Sequence, residues 1–186
     1  MLSIGNASRP DPDRAVLLDI GVGNGVTTLA CARSHPDLLV LAVEVHQPSI
    51  ARLLRSLEQD PLPNIRVVEA DAVQLLDAMP GGSLAVVQVL FPDPWPKRRH
   101  HHRRMVDRAF ATMAADALTP GGHLVVATDW PDYASHMRSA IATEPRLEPV
   151  GDGSRPDRPV TAYERRGLDA GRPIADLRYR RRPSEG

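Results

Sequence analysis

Two rhythms of apolar and polar positions alternate along the chain. Short apolar runs at Val16 to Ile20, Leu38 to Val43, Ile65 to Val68, Leu84 to Leu90 and His123 to Thr128 are bounded by glycines, prolines or acids. Runs of that length with such boundaries read as buried parallel strands. Between them the spacing turns helical: Ile50, Leu53, Leu54 and Leu57 form an apolar stripe behind Pro48, and Pro61 and Pro63 end it. Further helices are predicted from about Gly25 to before Pro36, through Leu75, Leu76 and Met79, and from Met105 to Leu118. Pro80-Gly81-Gly82 and Pro120-Gly121-Gly122 read as turns. After Pro145 the pattern weakens. Gly151 to Pro159 reads as a mobile loop, and Ile174 to Tyr179 as an added edge strand.

Strands alternating with helices at this spacing predict an α/β fold, a doubly wound and mostly parallel sheet. Residues 15–186 read as a single domain behind an irregular, polar and Pro-rich segment at 1–14. Aromatic residues are only 4% of the chain, so the core must come from Leu, Val, Ala and Ile. The one cysteine, Cys31, excludes an internal disulfide and points to a reducing compartment. No apolar run is long enough to span a bilayer, and Met1 to Arg14 lacks the apolar centre of a secretory signal, so a cytoplasmic location with no membrane partner is expected.

Charge changes the picture locally. The net charge is zero, which gives no whole-molecule attraction to a polyanion. Yet Lys97, Arg98, Arg99, Arg103, Arg104 and Arg108 are opposed only by Asp107, and Arg178, Arg180, Arg181 and Arg182 form a second cluster. Such patches hold phosphates on a neutral protein. Lys97 is the only lysine among 23 basic residues, which marks it as a place where a compact ammonium is wanted. His100, His101 and His102 are consecutive, and consecutive side chains do not converge on one ion, so no metal is expected.

Asp19-Ile20-Gly21-Val22-Gly23-Asn24-Gly25 follows a strand and opens a helix, where glycines let backbone amides approach a ligand. A dinucleotide site shares that pattern, but Asp19 beside the loop would repel a pyrophosphate. S-adenosyl-L-methionine has no phosphate and carries an ammonium and a sulfonium, so an acid suits it there. Glu44, ending the second strand, is placed to accept from ribose hydroxyls, and Asp71, after the third, from an adenine amino group. The competing reading of each acid is a helix cap or loop decoration.

The run Phe91-Pro92-Asp93-Pro94-Trp95-Pro96-Lys97-Arg98-Arg99-His100, with Arg103-Arg104 beyond it, resembles the signature loop of the bacterial tRNA (guanine-N7)-methyltransferase family. Glu44-Val45-His46, Ala127-Thr128-Asp129-Trp130, and Thr161-Ala162-Tyr163-Glu164-Arg165-Arg166-Gly167 with Asp176-Leu177 resemble three further segments of it, so the likeness runs from about Leu17 to Arg180. The resemblance implies a Rossmann-like, class I methyltransferase fold, S-adenosyl-L-methionine as cofactor, and tRNA as partner, methylated at N7 of a guanine in the variable loop. It implies cofactor contacts from Asp19, Gly21, Gly23, Gly25, Glu44, Asp71 and Asp93, with Asp93 also catalytic. Substrate contacts fall to Lys97, Asp129, Thr161, Ala162, Tyr163 and Glu164. Trp95 either stacks on the base or packs the loop.

Two features depart from the family. Asp19 stands where the family has Glu, one methylene longer, which makes its reach to the cofactor ammonium indirect. Only about 15 residues precede the first strand, where the family carries a longer segment. The short start favours an alternative, a paralogue methylating a heteroaromatic nitrogen of a small molecule. A non-catalytic RNA-binding module is disfavoured because every expected cofactor acid is present. Monomer and homodimer are both compatible with the sequence.

Overall fold

A computed structural model describes residues 14–183, so the segment expected to be irregular lies outside the described residues except for Arg14. Seven strands form one sheet: β1 (Val16–Ile20), β2 (Leu39–Glu44), β3 (Ile65–Glu69), β4 (Leu84–Leu90), β5 (Leu118–Thr128), β6 (Leu147–Pro149) and β7 (Ala175–Arg181). Their order is β3-β2-β1-β4-β5-β7-β6. The first five are parallel, β7 is antiparallel to β5, and β6 is antiparallel to β7. The helices are α1 (Val26–Ser34), α2 (Gln47–Gln59), α3 (Ala72–Asp77), α4 (Arg108–Ala117), α5 (Pro131–Ile141) and α6 (Ala162–Asp169), with a 3-10 helix at Arg98–Arg103.

Strand alternation sends successive residues to opposite faces, and both faces are covered. Leu17 packs with Leu29, Ala32, Val40 and Leu53 on the side of α1 and α2. Leu18 and Ile20 join Val87, Phe110, Leu124, Tyr133 and Met137 on the larger opposite face. Ala111, Ala114, Ala115 and Ala117 of α4 are buried, so small side chains and close helix approach replace the scarce aromatics.

Five elements differ from the sequence reading. The helix expected from Met105 begins at Arg108, because Asp107 is its N-cap and accepts from Phe110 N at 2.9 Å. Pro120-Gly121-Gly122 is a tight excursion inside β5: the register against β4 shifts between Leu84 and Val86, and the ladder continues. β7 is not the edge strand; it lies between β5 and β6, whose three residues are too few to show a period. α5 and α6 fill stretches where no helix was expected.

Candidate active site

The winding of the sheet reverses between β1 and β4, and open α/β sheets bind ligands at the carboxyl ends of strands flanking such a reversal. A cleft of about 570 Å³ opens there. One wall is the glycine loop. Gly21, Gly23 and Gly25 all have positive φ, and at Gly25 a Cβ would lie 2.9 Å from Leu53 Cδ1, so the loop closes on α2 only without a side chain.

Glu44 ends β2 in the same wall and ties it to the loop. Its Oε2 accepts from Gly23 N at 3.2 Å, and its Oε1 accepts from Val45 N at 2.9 Å and His46 N at 3.0 Å. A carboxylate has about four acceptor positions, so capacity remains for a ligand hydroxyl. His46 and Ser49, hydrogen-bonded at 2.9 Å, line the cleft beside it. The sequence reading assigned them no role, although His46 follows the strand-end acid by two residues.

Asp19 lies beneath the loop instead of in the wall. It is buried, with Oδ2 accepting from Thr28 Oγ1 at 2.6 Å and Oδ1 from Gln88 Nε2 at 3.0 Å. Burial pushes its pKa up, and the two hydrogen bonds oppose that shift without reversing it. Asp71 is an exposed N-cap of α3, its Oδ1 accepting from Val73 N and Gln74 N, and it is not among the residues lining the cleft.

The facing wall is the proline-rich loop after β4, which contributes Phe91, Pro92, Asp93 and Trp95. Phe91 and Trp95 have φ of 54° and 44°, a region aromatic residues rarely occupy. Such conformations persist where surroundings over-determine them, and they cluster at functional sites. Here Phe91 N donates to Ala127 O at 2.8 Å, and Arg104 Nε donates to Pro94 O at 2.9 Å. Arg103 stacks 4.8 Å over the Trp95 ring, and His100 meets that ring edge-on at 5.9 Å. Trp95 therefore packs the loop and borders the cleft at once. Asp93 is exposed in this rigid frame.

The basic run divides into two kinds of arginine. Lys97, Arg98, Arg99, Arg103 and Arg108 are exposed, and Arg103 reaches the cleft. Arg104 is buried, pairing with Asp132 at 2.5 Å and lying 4.9 Å over Tyr133, so it belongs to the scaffold.

In the Thr161 to Glu164 segment only Tyr163 lines the cleft; its ring approaches Gly23. Thr161 is the N-cap of α6 and Glu164 its reciprocal partner in a capping box. Glu164 is fully buried between Arg155 at 2.6 Å and Arg158 at 2.5 Å, and Arg158 also bonds Asp176 at 2.8 Å. The stretch expected to be a mobile loop is thus pinned through both arginines. Ala162 is exposed on the first turn of α6. Asp129, at the end of β5, pairs with Arg172 at 2.6 Å. Among the described residues no helix is long and apolar enough to cross a membrane, and no three His, Cys, Asp or Glu side chains are grouped to hold a metal ion.

The sheet order, the glycine loop and the acid ending β2 define the class I S-adenosylmethionine-dependent methyltransferase fold. A solved 16S rRNA methyltransferase, KamB, superposes with a TM-score of 0.65 at 22% identity, covering 91% of this chain and 88% of that one. Residues 13–177 match a family model described as "Putative methyltransferase". The tRNA (guanine-N(7)-)-methyltransferase of Alkalilimnicola ehrlichii is 46% identical over 91% of this chain and 74% of its own length. That of Halorhodospira halophila is 45% identical over 90% and 75%. The chain belongs to the tRNA (guanine-N(7)-)-methyltransferase family.

Proposed function

We propose that the chain transfers a methyl group from S-adenosyl-L-methionine to N7 of a guanine in tRNA, in the variable loop as the family resemblance implies, and works in the cytoplasm. The observation that carries this reading is the cleft itself. It sets the hydrogen-bonded Glu44 and glycine loop opposite the rigid Asp93 loop, beside a row of exposed arginines.

The cofactor, when bound, supplies an electrophilic methyl on a sulfonium. The chain's residues do the rest. Glu44 accepts from the ribose, and Gly21, Gly23 and Gly25 let backbone amides meet the ligand. Asp19 acts through the loop it underlies, and Gly25 through the start of α1. Asp71, on the neighbouring strand end, keeps Oδ2 for the adenine amino group. Guanine N7 has a lone pair and no proton, so attack needs alignment and exclusion of water, not a general base. Asp93 accepts from the N1–H and N2–H edge of guanine and offsets the positive charge left on the methylated base. Tyr163 packs against the bound ligand, with Thr161 and Ala162 setting the turn that presents it. Lys97 and Arg103 meet phosphates.

Methyl transfer from labelled cofactor to purified tRNA, in competition with free guanine nucleosides, tests this reading. Transfer to tRNA alone is expected. Preference for the nucleosides would move the assignment to a small-molecule substrate.

Two further outcomes are expected. Glu44→Gln loses the charge and turns one acceptor oxygen into a donor facing backbone N–H, so calorimetry should find S-adenosyl-L-methionine bound more weakly by about 1.5–3 kcal/mol, and the melting temperature should fall as the tie to the glycine loop weakens. Replacing exposed Arg98 and Arg99 by Gln should lower the slope of log affinity for tRNA against log salt by about one for each phosphate no longer neutralised. Cofactor affinity should be unaffected, and an unchanged salt slope would remove these arginines from the RNA surface.

A further inference from the structure

Asp129 is held from two sides. Arg172, in the turn after α6, donates to it twice, from Nε at 2.9 Å and Nη2 at 2.6 Å, and both bonds end on the same oxygen, Oδ2. The guanidinium also lies 6.0 Å over the Trp130 ring. On the other side α6 presses in at Gly167, where a Cβ would come within 2.6 Å of Asp129 Cβ and 2.8 Å of Oδ2. Only glycine admits this contact, so the helix that carries Tyr163 into the cleft also seats the acid at the end of β5. That strand end is tied to the Asp93 loop by the bond from Phe91 N to Ala127 O.

An arginine fork facing a carboxylate ordinarily takes both oxygens in two parallel bonds. Here both donors converge on one, and Oδ1 is left for another donor. The side chain of Asp129 is 17% exposed, so that donor can come from outside the fold.

We propose that Arg172 is a positioning residue of the active site. It fixes the Asp129 carboxylate through Oδ2 so that Oδ1 accepts from the donor edge of the substrate guanine, and it does not itself touch the RNA. This rests on the function proposed above. Arginine suits the task because its planar guanidinium holds one geometry, whereas a lysine ammonium swivels.

The test is a double-mutant cycle on tRNA methylation with wild type, Asp129→Asn, Arg172→Gln and the double variant, reading kcat and KM separately. Arg172→Gln is expected to lower kcat by about 10- to 100-fold, the effect of misplacing a group by about 1 Å, with cofactor affinity unchanged. In the Asp129→Asn background the same change should cost less than about twofold, because residues acting as a unit are not additive. Full additivity, or a loss confined to KM with a shallower salt slope, would show that Arg172 contacts RNA directly and would overturn the proposal. An Asp129→Asn variant with wild-type kinetics would overturn it while leaving tRNA methylation standing. A wild-type chain that does not methylate tRNA would overturn the function and this inference with it.

Discussion

Asp93→Asn is expected to slow methyl transfer to tRNA by about 100-fold or more while the fold survives. The substitution keeps the side chain's shape. It exchanges one acceptor oxygen for a donor and removes the negative charge, the two properties the guanine edge and the developing cation require. The loop that carries Asp93 has no slack to compensate. Phe91 and Trp95 are held at positive φ, Arg104 clamps Pro94, and Arg103 and His100 pack against Trp95. Neighbouring acids are engaged elsewhere, Glu44 by three backbone amides and Glu164 by two arginines. Single-turnover transfer at saturating tRNA isolates the chemical step. Near-normal rates for the Asn variant would reduce Asp93 to a structural residue and leave the guanine contact to Asp129 alone.

Glu164→Gln is expected to destabilise the fold by about 3 kcal/mol. The amide oxygen can keep the capping box with Thr161, so the loss falls on the arginine contacts: the charge goes, and one acceptor oxygen becomes a donor facing a guanidinium. Arg158 carries most of it. Its guanidinium is almost wholly buried and lies 5.5 Å from the Phe91 ring centroid, and its Nε already lacks a partner among the described residues. Arg155 is more exposed and contributes less, because water screens it. Glu164→Ala should cost more, since it also opens the cap. The two arginines hold the Glu164 pKa below its ordinary value of 4.5 against the opposing push of burial. The charge therefore stabilises the fold fully above that value, and the contribution is lost as pH falls through the lower folded-state pKa. The difference in unfolding free energy between wild type and the Gln variant should accordingly be constant near neutrality and shrink below about pH 4.5. A difference that grows in acid would contradict the ion-pair account.

How much of this was legible in the sequence depends on how local each signal is. β4 and the loop after it could be read outright, because a seven-residue apolar run meets three prolines whose φ is already set. The glycine loop and Glu44 could be read as well, since both sit at strand ends. Glu164 could not. Thr161-x-x-Glu164 is a capping box in form, but its burial depends on Arg155 and Arg158, which come from a stretch without periodicity. Arg104 looks like its neighbour Arg103 in sequence. Only the packing of α5, with Tyr133 and Asp132, turns it inward. The Asp129–Arg172 pair joins residues 43 positions apart and rests on a glycine contact that no pattern announces.

The atom that receives the methyl group tests the proposed reaction most directly. Purified chain, labelled S-adenosyl-L-methionine and a tRNA transcript, followed by nuclease digestion and mass analysis of the nucleosides, give that answer in one measurement. A single product, 7-methylguanosine, is expected at one position of the transcript. A methyl group on another base or on a ribose, or label left wholly in small molecules, would contradict it.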